Sequence, residues 1–182
     1  MPDLTTRLAA FLEVLGTGAS APTLSGVLTT SVTAVGNVGT GEDDLITYSL
    51  PANSLASNGQ TIRVHAWGTL AGNANTKILR FYFGTATGIA VTLIPFATAT
   101  ALIAGQWMLE AIIVRTGSST QSIIARFTQL SGAAADTRDL VLDRNIVSAT
   151  QTDTAAITVK CTGQATDDND IVQSGMVVEG LL

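Results

Sequence analysis

The side chains of this chain that could do chemistry are few, and their types and spacing limit what they can do. His65 is the single histidine among 182 residues. A two-histidine metal site therefore cannot form, and no serine or cysteine signature surrounds His65 to make it the base of a nucleophilic triad. Cys161 is the single cysteine, with no partner for an internal disulfide and no neighbour at metal-ligand spacing. Two acidic clusters, Glu42-Asp43-Asp44 and Asp167-Asp168-Asn169-Asp170, offer oxygen ligands of the kind calcium takes in sets of roughly six to eight. Neither has the spacing of a known calcium loop, and such residues also satisfy turn amides and cap strand ends. Carboxylate pairs for glycoside cleavage could be drawn from these clusters, but the aromatics that line a sugar-cleaving cleft make up only 5% of the chain. Gly36-Asn37-Val38-Gly39-Thr40-Gly41 lacks the Lys-Ser or Lys-Thr that completes a phosphate loop and reads as a turn. The expectation is a protein that is not an enzyme, with no catalytic residue, metal ligand or cofactor.

Composition says what kind of object remains. Only 13% of the residues are charged while 46% are apolar, against about 25% charged in an ordinary soluble domain. A fold of this size cannot hide all its apolar atoms, so threonine, alanine, serine and glycine must share the exterior with them. Such a surface suits packing against other protein chains. The net charge of −5 and the scattering of Arg7, Arg63, Lys77, Arg80, Arg115, Arg126, Arg138, Arg144 and Lys160 as single basic residues exclude a phosphate-backbone partner. No stretch reads as a membrane span.

Three segments would position these groups. In residues 1–15, Leu4, Leu8, Phe11, Leu12 and Leu15 form one apolar stripe at helical spacing, with Thr5, Thr6, Arg7, Ala9 and Glu13 on the other faces. A helix of this length is marginal alone in water, so the stripe requires a cover: its own domain, sister chains or a larger assembly. Ala19-Ser20-Ala21 resembles a cleavage site, but Asp3 and Glu13 interrupt what a secretory signal would keep positive and then apolar. No signal peptide is expected. Residues 16–26, GTGASAPTLSG, read as a tether.

Residues 27–182 carry ten short β-rich runs separated by turn chemistry, with about eight expected to be strands of an all-β antiparallel sandwich. Asn58-Gly59 and Gly117-Ser118 are the strongest turns. Alternation points Ile62, Val64, Ala66 and Leu70 inward, with Leu79, Phe81 and Phe83, Ile123, Ala125 and Phe127, and Ile157, Val159 and Cys161. The run around Trp107 is apolar on both sides, so one side is expected at a subunit interface, with Trp107, Leu109 and Ile113 as its residues. Asn73, Asn75, Asp168 and Asp170 lie in turns and are expected as loop-tip contacts.

The segment Ala34 to Gly84, the stretch GQWMLEAIIVRTGSSTQ over Gly105 to Gln121, and the closing AAITVKCTGQATDDNDIVQSGMVVEGL together resemble the small jelly-roll structural proteins of tailed bacteriophages. The resemblance implies a jelly roll on the virion surface, often trimeric, made in the host cytoplasm. It would serve as a capsid decoration protein that binds and stabilises the head shell, its partners being sister copies and the major capsid protein or other virion proteins. The alternatives are a tail fibre or receptor-binding module touching host glycans and, more distantly, a jelly-roll carbohydrate-active enzyme. No catalytic residue carries over. Residues 1–26 fall outside the shared part, which leaves them free to determine where the protein attaches.

Overall fold

In the computed structural model, residues 25–93, 96–97, 102–131 and 139–181 are described. The helix expected over residues 1–15, with Leu4, Leu8, Phe11, Leu12 and Leu15, lies outside them, as does the tether up to residue 24. The chain runs β1 (Gly26–Ser31), β2 (Val35–Gly36), β3 (Glu42–Leu50), β4 (Thr61–Leu70), β5 (Lys77–Phe83), β6 (Ala86–Leu93), β7 (Phe96–Ala97), β8 (Leu102–Ile103), β9 (Gly105–Gly117), β10 (Thr120–Ser131), β11 (Asp139–Ala149), β12 (Ile157–Gln164) and β13 (Ile171–Leu181). All ten β-rich runs of the sequence overlap strands.

Two antiparallel sheets hold these strands. The wide sheet has the order β1-β13-β4-β9-β10-β11, with β2 also on β13, and the narrow one the order β3-β12-β5-β6. The short β7 and β8 pair with each other. From β1 to β13 the chain changes sheet at each major connection except the β5–β6 hairpin and the β9–β10–β11 meander. Pairing is nested: β1 with β13, β3 with β12, β4 with β9, β5 with β6. Eight strands wound in this way are a jelly roll, and the β10–β11 hairpin widens one of its sheets beyond the expected eight.

The core forms where the pleat demands. Every residue assigned inward by alternation on β4, β5, β10 and β12 is buried, Cys161 among them, and burial pushes its thiol pKa up, which makes it inert. Trp107 is fully buried in β9. Its indole N–H donates to the Val172 carbonyl at 3.2 Å, and its ring meets Phe127 edge-on at 6.1 Å. Gly68 makes room for this, since a Cβ there would fall 1.9 Å from the Val172 oxygen and 2.7 Å from the Trp107 nitrogen. Gln173 ties the sheets together: fully buried on β13, it accepts the Ile46 amide of β3 at 3.0 Å.

Turn chemistry closes the strands. Gly59 in the Asn58-Gly59 turn has φ 88°, a left-handed conformation that favours glycine. Beyond it, Arg115 donates to the carbonyls of Leu55 and Gly117 and pairs with the buried Asp153 at 3.2 Å, pinning this end of the sandwich. Overpacking at the Trp107 contact gives a direct test. Gly68→Ala is expected to lower stability to urea by about 1–3 kcal/mol, whereas Gly41→Ala, with nothing within 4 Å of the added methyl, should stay within about 0.5 kcal/mol. Equal effects would contradict this packing.

Candidate functional site

The same alternation that buries Trp107 fixes what β9 shows to the outside. Trp107, Leu109 and Ile113 all face the core and are at most 1% exposed, so they cannot form the expected subunit interface. The sheet opposite, rather than a second chain, takes up this side of the two-sided apolar run. The outward side of β9 carries Met108, Glu110, Ile112 and Val114 instead, and it is this side that remains open.

Strand register assembles those residues into rows across the wide sheet. Ile112 of β9 stands opposite Ile124 of β10, which stands opposite Ile146 of β11. Ile124 is 45% exposed and Ile146 73%, and a groove of about 470 Å³ runs along the row, bounded by Glu110, Arg126 and Asn145. One row along, Glu110 and Arg126 pair at 3.2 Å beside His65. A further row sets Trp67 opposite Met108, respectively 37% and 50% exposed. Gly175 lets this indole lie across β13, because a Cβ there would come 2.2 Å from the ring. Burying one isoleucine side chain that would otherwise face water is worth about 1.5–3 kcal/mol. Covering the isoleucine row would therefore contribute several times RT.

The outer face of the narrow sheet is built around polar side chains. Glu42 accepts hydrogen bonds from Tyr82 Oη at 3.0 Å and Thr162 Oγ1 at 2.6 Å, and pairs with Arg80 at 3.2 Å. Arg80 also donates to Gln164 at 3.1 Å. Lys160 pairs with Asp44 at 2.5 Å and sits 5.5 Å from the Tyr82 ring centre. Partial burial raises the Glu42 pKa, but those hydrogen bonds and the charges of Arg80 and Lys160 outweigh it and hold the carboxyl below its usual value. In the sequence Glu42 and Asp44 belong to an acidic cluster that reads as turn chemistry, whereas in the structure both stand on β3; Arg80, Tyr82, Lys160 and Gln164 carry no motif of their own. Their alternate spacing on β5 and β12 was the available signal.

No protein-family model and no curated protein matches this chain. It is similar in structure to the CBM2 module of the evolved Dit of Lactobacillus casei BL23 phage J-1, at 10% identity and a TM-score of 0.35 over 85% of this chain and 95% of that one.

The loop residues picked out in the sequence do converge, but on each other. Asp170 is 1% exposed and accepts from the side-chain amides of Asn73 and Asn75, the latter at 2.8 Å, and from the Asp167 backbone amide at 3.1 Å. Asn75 also donates to Asp167 at 2.9 Å, and the buried Lys77 donates to Asn73. Asn37, fully buried and missed in the sequence, takes the Ile171 amide at 2.9 Å and donates to the Asp167 carbonyl at 2.9 Å. Asp170 is therefore a tie within the fold rather than a loop-tip contact, because its buried oxygens need partners, while the half-buried Asn73 and Asn75 turn their side-chain amides toward it. Asp168 stays exposed, with one oxygen accepting the Gly39 amide at 2.7 Å.

Burial pushes the Asp170 carboxyl up, but the amides of Asn73, Asn75 and Asp167 and the charge of Lys77 pull harder, leaving it below the ordinary 3.8. Burial draws the Lys77 pKa down against the opposing pull of Asp170 and Asp167. A depressed carboxylate contributes stability that is present above its unfolded pKa and lost as pH falls through the folded one. Melting temperature should therefore drop below about pH 4. Asp170→Asn should cost about 1–3 kcal/mol at pH 7 and flatten part of that acid slope. An unchanged slope in the variant would remove Asp170 as its source.

Proposed function

We propose that the protein is a structural component of a tailed-bacteriophage virion, a capsid decoration protein that binds the head shell as a homotrimer and stabilises it. The observation that carries this reading is the contrast between the two outer faces of one jelly roll. The narrow sheet turns a polar, internally paired face outward, whereas the wide sheet, beside its Arg63–Glu179 and Glu110–Arg126 pairs, also turns out a row of isoleucines and a Trp67–Met108 pair. A part held permanently among neighbours makes use of an apolar face and has less need of monomer solubility than a cytosolic enzyme. The low charge of the whole chain and its resemblance to phage jelly-roll proteins support the same role. In this reading residues 1–24 attach the sandwich to the shell.

The polar platform of Glu42, Arg80, Tyr82 and Lys160 favours one second reading, a tail-fibre module that meets host glycans through hydrogen bonds and one phenol ring. Antibody labelling of intact particles, viewed by electron microscopy, separates the two. Label distributed over the head shell is the expected result. Label confined to the tail tip or baseplate would move the assignment to adhesion, and unlabelled particles would overturn both readings. A chain lacking residues 1–24 should keep its β circular dichroism while losing attachment to heads. Loss of the β signal would show that this segment belongs to the core.

A further inference from the structure

We infer that Ile112, Ile124 and Ile146 form the axis-facing surface of the homotrimer, each copy's row being covered by the equivalent rows of its sister copies. The inference rests on the oligomeric reading above and assigns it a surface that the sequence placed elsewhere. Its first support is size. Strands β4, β9, β10 and β11 are 10, 13, 12 and 11 residues long. At about 4.8 Å between strands and about 3.4 Å per residue, they present a face of about 19 by 39 Å, or about 740 Å². A standard stable interface takes about 800 Å² from each partner.

The second support is charge. Along the margin of the isoleucine row, Glu110 and Arg126 lie side by side with opposite signs at 3.2 Å. Paired with each other within the chain, the two leave no net charge of their own on this margin to hold a sister copy off. The third is position. β11 is the terminal strand of the wide sheet, and Ile146 on it is the most exposed large hydrophobic residue among those described. An axis running along this rim would cover the isoleucine.

The test uses the full chain. Light scattering on the wild type at micromolar concentration should return about three times the single-chain mass of 18.7 kDa. Ile124→Arg and Ile146→Asp should each shift the species to the single-chain mass with an unchanged β spectrum. Ile146→Cys provides an independent measurement, because native Cys161 is fully buried and leaves the engineered thiol as the reactive one. A short bis-maleimide should join copies through position 146, but not through Thr47→Cys on the exposed side of the narrow sheet.

A trimer that survives both charged substitutions and gives no crosslink at position 146 would overturn this surface while leaving the trimeric reading in place. A single-chain mass for the wild type would overturn both. In that case, rapid labelling of the position-146 thiol would mean a bare face, and protection would mean a cover from the chain's own first residues. Should the charged variants fail to fold, the crosslink decides alone.

Discussion

The indole of Trp107 fixes the register on which every other surface of this sandwich depends. Held by the Val172 carbonyl, seated over Gly68 and edged against Phe127, it leaves β9 no second way to face the core. Side chains in a strand alternate with a period of two, so a slip by one residue would bring Met108 and Ile112 inward and expel a tryptophan. Register passes by pairing from β9 to β4 on one side and to β10 and β11 on the other. The isoleucine row on the exterior thus follows from a contact in the interior.

Polar groups are distributed by the same economy. At one end of the sandwich Asn37, Lys77 and Asp170 are buried in a shared hydrogen-bond network, and at the other Arg115 pairs with Asp153. Among the described residues, Arg63, Arg80, Arg115, Arg126 and Lys160 all sit in ion pairs, five of the nine basic residues of the chain. Apart from the buried Arg115–Asp153 pair, such pairs lie nearer the surface and add little stability, typically about 0–1 kcal/mol each. Their larger effect is to neutralise charge on the chain's own surface, which leaves an already undercharged exterior with still less unpaired charge.

Much of the fold was legible because half-buried antiparallel strands write their inward side directly into the sequence. Phe81 alternating with Arg80 and Tyr82, or Val159 with Thr158 and Lys160, leaves no choice of face. β9 was harder: Met108, Ile112 and Val114 oppose Trp107, Leu109 and Ile113 with similar hydrophobicity, so periodicity showed two apolar sides without ranking them. The demand of a buried indole N–H for an acceptor, and the glycine it would need across the ladder, were the signals that pointed Trp107 inward. The Asn73–Asn75–Asp170 cluster failed differently. Each residue was correctly placed in a turn, but β4–β5 and β12–β13 meet at one end of the sandwich through a winding that single-sequence patterns do not carry. Asn37 and Lys77 had no local signature at all.

A jelly roll whose two outer faces differ this sharply should be oriented when it works, and a particle reconstruction at side-chain resolution tests that most directly. The isoleucines of β9, β10 and β11 should be found in protein–protein contact, with the Glu42–Arg80–Tyr82 face turned to solvent. Density showing the isoleucine row bare and the polar face packed against neighbours would contradict the account.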